Sequence, residues 1–286
     1  MRILVLGSSG FLGSAIINIL KKKFQIFNNG LKKRKYDLSK KNSVEKLINK
    51  SKPHVIINCA AVADIEYAEK NKKKTKLINA ELVKWIQNHN KKLKKKFWFI
   101  HFSTDSLYFK NKKNAEVDKI KALNYYSKTK LLAENYCNAN SLIFRTNFFG
   151  KSNLKQNSFS DFVYKSFKSN KEFYLINNIF FNPLRVNTIA IILKKILEKK
   201  EIYYGIYNLG SRGLLSKYNF AIFFAKKAGI YKPNCYKIVN SKKIFLIKRS
   251  NFMAMSVKKF EKKFRYKLPH INKEILDEVK KNYEKI

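Results

Sequence analysis

Along its first half the chain alternates between two hydrophobic rhythms. Short apolar runs occupy residues 2–7 (Arg-Ile-Leu-Val-Leu-Gly), 24–27, 54–59, 97–102 and 141–146. Unbroken runs of this length suit strands covered on both faces, since neither face needs polar side chains. Between them the spacing turns helical. Ala15, Ile16, Ile17, Ile19 and Leu20 continue one apolar face, and further helices are predicted around residues 43–49 and 130–138. Strands alternating with helices form βαβ units, and the handedness of their crossovers leads to an α/β fold with a doubly wound parallel sheet.

Beyond Gly150 the rhythm loosens. Residues 151–160 are polar, 160–168 read as helix, and strand-like pieces fall at 172–176 and 204–209. Helices are expected again over 187–198, 217–228 and 273–283. The prediction is one domain over 1–150 and a smaller mixed α/β lobe over 151–286, with part of 179–210 returning to the first. A chain of 286 residues can hold two such bodies sharing a cleft.

Charge changes this picture less than its size suggests. The formal net charge is +43, yet only seven of the 62 basic residues are arginine, the residue best suited to bidentate phosphate and base recognition. The excess is lysine, accompanied by abundant Asn, Ile, Phe and Tyr, all served by A/T-rich codons. The lysines are spread along the chain instead of forming one stripe, which suits solvated helix faces. Genome composition therefore explains the charge better than a nucleic-acid or membrane partner. Cys59, Cys137 and Cys235 are widely spaced without a CxxC pair, which predicts neither disulfides nor a metal site. With no signal peptide and no apolar run approaching the roughly 18 residues of a membrane span, a soluble cytoplasmic protein is expected.

The first strand runs directly into Gly7-x-x-Gly10-x-x-Gly13. Gly7 permits a tight strand-to-helix turn, Gly10 lets backbone approach a pyrophosphate, and Gly13 lets the helix pack on the sheet. The helix N-terminus then presents N–H groups and a positive dipole end to phosphate. Placed between a buried strand and an apolar helix, the triplet has the context of a Rossmann-type dinucleotide loop. The second strand ends without the acid that would bind an NAD ribose. It continues as Asn28-Asn29-Gly30-Leu31-Lys32-Lys33-Arg34, and the first carboxylate is Asp37. Cations there favour the 2'-phosphate of NADP(H) over NAD(H).

Two further motifs carry reaction chemistry: Ser103-Thr104-Asp105 after the fourth strand run, and Tyr126-Ser-Lys-Thr-Lys130 opening a helix. Tyr126 can protonate a carbonyl oxygen as hydride reaches its carbon. Lys130 lies one turn later on the same helix face, where its charge would favour the ionised phenol and could hold a cofactor ribose. Thr104, at the carboxyl end of a parallel strand, can hydrogen-bond the carbonyl or the developing alkoxide.

Together with Asn58-Cys-Ala-Ala61, Glu116-Val-Asp118 and Lys130-Leu-Leu-Ala-Glu134, these motifs resemble the extended short-chain dehydrogenase/reductases, and within them the dTDP-4-dehydrorhamnose reductase group. The C-terminal half agrees in outline through Arg145-Thr146, Asn182-Pro183, Gly205-Ile-Tyr-Asn-Leu-Gly210 and Arg249. The resemblance implies an NADPH-dependent reductase of a 4-keto deoxysugar nucleotide, with dTDP-4-dehydro-L-rhamnose the first candidate, serving surface polysaccharide synthesis. It implies Thr104, Tyr126 and Lys130 as catalytic residues. Gly7, Gly10, Phe11, Leu12, Gly13, Asn28, Lys32, Asp37, Leu38, Ala60 and Ala61 would join Tyr126 and Lys130 around the cofactor. Ser103, Asp105, Asn147, Asn182 and Arg249 would face a nucleotide-diphosphate sugar, and no metal is implied. Val62, Ala63, Ala122 and Ser250 depart from residues common in that group, all on sugar-side loops. The same scaffold also serves epimerases, dehydratases and non-catalytic NADP-binding regulatory subunits, and a homodimer stays open.

Overall fold

The computed structural model describes residues 1–30, 36–152, 158–169 and 171–283. The chain divides into two compact units: Met1–Thr104, Ala122–Arg145 and Ile189–Tyr207 form the first, and Asp105–Lys121, Thr146–Thr188 and Asn208–Ile286 the second. A single boundary at residue 150 is thus crossed twice. Residues 105–121 go with the second unit because Asn114 is pinned there: its N–H donates to Ala254 O at 2.9 Å, and Tyr108 Oη donates to Asn208 Oδ1 at 2.7 Å. Residues 189–207 return to the first.

In the first unit the order is β1 (Arg2–Leu6), α1 (Phe11–Leu20), β2 (Gln25–Asn28), α2 (Lys41–Ser51), β3 (Val55–Asn58), α3 (Ile65–Lys70) and α4 (Lys72–Lys76). A π-helical turn, Leu77–Glu81, leads into α5 (Leu82–Lys92), followed by β4 (Trp98–Phe102), α6 (Tyr125–Tyr136) and β5 (Ser141–Thr146). Next come β6 (Phe148–Phe149), α7 (Phe159–Lys168), β7 (Phe173–Ile176), β8 (Phe180–Phe181) and β9 (Leu184–Arg185). The sheet is rejoined through α8 (Val186–Glu198) and β10 (Gly205–Leu209).

The six-stranded sheet has the order β10-β5-β4-β3-β1-β2. β2, β1, β3, β4 and β5 run parallel, with Leu4 beside Ile56 and Ile57 beside Ile100. The strand order reverses between β1 and β3, the switch-point arrangement of a doubly wound sheet. Ile3 to Leu6 and Val55 to Ile57 are buried, and α2 and α5 cover one face with Val44, Leu47, Val83 and Ile86. The loss of alternation read from the sequence has this double coverage as its cause.

The second unit is built around aromatic rings. It adds β11 (Leu215–Ser216), α9 (Lys217–Lys227), β12 (Tyr236–Val239), α10 (Ser241–Ile244), α11 (Lys258–Phe264) and α12 (Ile271–Asn282). Phe149 meets Phe220 edge-on at 4.9 Å, and Phe224 meets Tyr283 at 5.0 Å. A capping box formed by Ser158 and Asp161 starts α7, and Tyr283 Oη donates to Asp161 Oδ1 at 2.8 Å. Among the described residues no helix is long and apolar enough to cross a membrane, and no cluster of three or more His, Cys, Asp or Glu could hold a metal ion.

Candidate active site

The glycine loop is tightest at Gly7, whose φ is +74°. A Cβ there would lie 2.6 Å from Ala60 N, so the chain leaving β3 passes directly over the turn. Gly13 is equally constrained: its Cβ would stand 2.2 Å from Gly7 O. Gly10 precedes α1, and no side chain caps that helix. The first turn, beginning with Phe11 and the buried Leu12, is therefore open to an anionic ligand in place of a cap. Asn29 supports the loop by accepting from Ser8 Oγ at 2.9 Å. Asn28 ends β2 with its side-chain oxygen accepting the Gly30 N–H at 2.8 Å. Asp37 is exposed and accepts from the Ser39 N–H and hydroxyl at 2.9 and 2.7 Å; Leu38 beside it is buried. The Ala60 N–H donates to Asn58 Oδ1 at 3.1 Å, and Ala61 follows on the surface. Lys32, Lys33 and Arg34 lie outside the described residues.

Thr104, buried, lies two residues past the end of β4, and Tyr126 and Lys130 share α6. Lys130 is only 2% exposed, and its Nζ donates to Phe102 O at 2.6 Å, which places the ammonium at the carboxyl end of β4, two residues from Thr104. Burial holds the Lys130 pKa down to about 8, with nearby Glu134 opposing the shift. Burial also pushes the Cys59 thiol up and Cys137 up to about 12, so both remain thiols around neutral pH. His101 of β4 is held well below its ordinary pKa by burial, with the Lys130 charge adding to the effect. Its Nδ1 stands 3.2 Å from Asn58 Nδ2. Because that amide nitrogen can only donate, the neutral ring carries its proton on Nε2.

Helix α6 is held at its start from two sides. Asn124 Oδ1 accepts the Ser127 N–H at 2.9 Å, and Glu69 Oε1 of α3 accepts the Tyr125 N–H at 2.6 Å. These fix the first turn, where Tyr126 sits half-buried. Asn79, in the π-helical turn, completes the frame. It accepts the Val62 N–H at 2.7 Å, donates to Val62 O at 3.1 Å, and donates to Thr129 Oγ1 at 3.0 Å. One buried amide thereby ties the loop after Ala61 to the helix bearing Tyr126 and Lys130.

Ser103 is placed differently from its neighbour. Its Oγ donates to Glu134 Oε1 at 2.5 Å, and Glu134 also pairs with Arg145, Nη2 to Oε2 at 2.7 Å and Nε to Oε1 at 3.0 Å. Both charged side chains are buried, so this triad locks β4, α6 and β5 together.

In the second unit, Asn147 Nδ2 donates to Asp105 Oδ2 at 2.8 Å, bringing two expected residues together. Asn182 is instead consumed by its own fold, donating to Ser211 O and Met255 O at 2.7 and 3.0 Å and accepting the Met255 N–H at 2.8 Å. The Arg249 guanidinium lies 3.7 Å from the centre of the Phe245 ring. Lys217, first residue of α9, stands over the Phe159 ring at 5.2 Å. Burial lowers its pKa to about 8, Arg249 adds to the shift and Asp105 opposes it.

A family model described as the RmlD substrate binding domain matches residues 1–284. The chain belongs to that family. It is 31% identical over 207 residues to the dTDP-4-dehydrorhamnose reductase of Escherichia coli K12, covering 68% of this chain and 67% of that one. The enzyme of the same name from Aggregatibacter actinomycetemcomitans is 28% identical, covering 77% of each. Among solved structures, a dTDP-4-dehydrorhamnose reductase from Bacillus anthracis in complex with NADP superposes with a TM-score of 0.87 at 19% identity, covering 98% of this chain and 99% of that one. A UDP-glucuronic acid 4-epimerase from Bacillus cereus reaches 0.81 at 18%, covering 99% and 100%, so likeness at this level speaks for the fold alone. For this member of the RmlD substrate binding domain family, sequence reasoning left Asn29, Asn79 and Lys217 out of the site. Glu134 and Arg145 belong to the motifs named above with no role attached. Lys217 was hidden by lysine abundance, and a lone Asn79 in Ile-Asn-Ala has no spacing signal.

Proposed function

We propose that the chain reduces the 4-keto group of a nucleotide-activated deoxysugar with NADPH, dTDP-4-dehydro-L-rhamnose giving dTDP-L-rhamnose being the foremost case. The observation that carries this reading is the buried Lys130 ammonium at the end of β4, two residues from Thr104 and one helical turn from Tyr126. The family membership and the named reductase relatives support it. The uncapped start of α1 after Gly7 and Gly10 fits the pyrophosphate of a dinucleotide, and Asn28, Asp37, Leu38, Ala60 and Ala61 would help to hold the rest of it. Bound there, NADPH supplies hydride to the carbonyl carbon.

The chain's own residues do the rest. Thr104 Oγ1 donates a hydrogen bond to the carbonyl oxygen, and Tyr126 Oη delivers the proton that turns the developing alkoxide into the product hydroxyl. Lys130 stabilises the phenolate left behind, and its charge is held in place by Phe102 O. On the substrate side, Asp105 and Asn147 would address the sugar, and Lys217 and Arg249 the diphosphate, two cations beside aromatic faces.

The test is NADPH consumption with dTDP-4-dehydro-L-rhamnose and other 4-keto sugar nucleotides. The Tyr126→Phe variant should lose roughly 10² to 10⁴ in kcat while binding NADPH normally. Absence of turnover by the unaltered protein with every such substrate rejects the reading, and an unchanged kcat in Tyr126→Phe rejects the mechanism.

A further inference from the structure

The end of the sheet opposite Thr104 holds a cavity of about 680 Å³ at the starts of β1, β3 and β4. Arg2, Lys52, Lys94, Lys95 and Lys96 line it, and no carboxylate does. Among the described residues none of these five cations forms an ion pair with Asp or Glu. Two of them are fixed by backbone. Arg2 Nε donates to Lys52 O at 2.7 Å, and Lys96 Nζ to Leu93 O at 2.6 Å. Lys52 itself adopts the left-handed conformation, φ +39°, which turns the chain out of α2 toward the cavity rim.

The positive field is felt by His54, which also lines the cavity. Its pKa is lowered by burial first, then by Arg2 and Lys95, and its Nδ1 accepts the Arg2 N–H at 2.9 Å. The ring is thereby left with Nε2–H as a donor. Pro53, Leu93, Trp98 and Ile202 add apolar surface to the same lining, and Ile202 is 54% exposed. The size is that of a small-molecule site, and the pairing of clustered cations with apolar side chains in one lining selects a ligand with both phosphate and an apolar ring. A duplex or a membrane plane would meet the rim but leave the concavity unfilled.

We propose that this cavity is a second ligand site, for a nucleoside di- or triphosphate. The phosphates lie on Arg2, Lys52 and Lys95, and the base lies against Pro53, Leu93 and Ile202. It is separate from the reduction site at the other end of the strands.

The test uses the whole protein in saturating NADP+, with ADP and inorganic tripolyphosphate titrated by calorimetry and by the fluorescence of Trp98 at the cavity wall. ADP should bind saturably at one site, at least tenfold more weakly to the Lys52→Gln/Lys95→Gln double variant, and unchanged to a Lys280→Gln/Lys281→Gln control of equal charge loss. Ile202→Ser should weaken ADP several-fold and leave tripolyphosphate unaffected. No saturable ADP binding overturns the proposal, as does equal weakening in the control, which would mark general charge attraction. Tripolyphosphate binding as tightly as ADP and insensitivity of ADP to Ile202→Ser together overturn the nucleoside assignment. The double variant decides the matter even if NADP+ does not bind, because Lys52 and Lys95 lie away from Gly7.

Discussion

At the carboxyl end of the sheet in the first unit, charged and polar groups are buried and matched to one another: Ser103 and Arg145 both reach Glu134, and Lys130 reaches Phe102 O. At the amino end of the same strands the cations stand around an open cavity with no carboxylate in its lining. The two ends share strands, helices and core, so the difference lies in what each asks of its side chains. A matched, dry cluster fixes positions to a fraction of an ångström, which chemistry requires. An unmatched, hydrated one stores attraction for a ligand and contributes little to folding.

The comparison is broken most forcefully by removing a charge from each end. Arg145→Met should cost about 3–5 kcal/mol of stability, because it removes the bidentate partner of the buried Glu134 carboxylate and leaves it only the Ser103 hydroxyl bond and the nearby Lys130 charge. Arg2→Met should cost less than about 1 kcal/mol, the net worth of one half-exposed hydrogen bond. Denaturant unfolding of the two variants measures both. Equal losses would mean that the Glu134–Arg145 pair is not the structural lock its burial indicates.

A smaller change probes how the matched end is positioned. Asn79→Ala removes three hydrogen bonds made by one buried amide and leaves the Val62 backbone and the Thr129 hydroxyl to find other partners. The expected cost is about 1–3 kcal/mol, with kcat falling more than KM rises because Tyr126 and Lys130 lose part of their frame. A variant of unchanged stability and turnover would show that the π-helical turn plays no part in aligning α6.

The sequence made the matched end legible unevenly. Strand runs were readable because double coverage removes polar positions, and Gly7, Thr104, Tyr126 and Lys130 carried their own spacing. Residues 60–96 were not assigned elements, although α3, α4, the π-helical turn and α5 occupy most of them. Lysines crowd their solvated faces, while the buried face of the early part is small or polar, with Ala68, Thr75, Asn79 and Ala80, so no apolar stripe marks it. β12, α10 and α11 were missed likewise because they are short and lysine-rich. In the second unit, Asn182 illustrates the limit of motif reading. An asparagine before proline looks available for a ligand, and only the fold reveals that its amide is already occupied by Ser211 and Met255. Asn147 and Asp105, far apart in sequence, are joined only by folding. The amino-end cavity had no sequence signal at all, since its lysines are indistinguishable from the background of the other basic residues.

The finest distinction between the two ends is in their response to pH. Lys130 has a folded pKa of about 8, lowered by burial from its ordinary 10.5. Between those values the unfolded chain binds more protons than the folded one, so stability gains with rising pH. The Lys130 contribution should grow by about 1 kcal/mol from pH 8 to pH 9. His54, at the amino end, is also lowered, by burial and then by Arg2 and Lys95, so its contribution is lost as pH falls below its ordinary 6.5. The two signatures therefore have the same sign and occupy separate windows. Because many other lysines titrate at high pH, the measurement is a difference: unfolding free energies of the unaltered protein and of Lys130→Met, compared across pH 8 to 9. A gap that changes by about 1 kcal/mol in favour of the unaltered protein as pH rises identifies Lys130 as the titrating group. Parallel curves would mean that the ammonium keeps an ordinary pKa and that the carboxyl end of the sheet is more hydrated than its buried hydrogen bonds indicate.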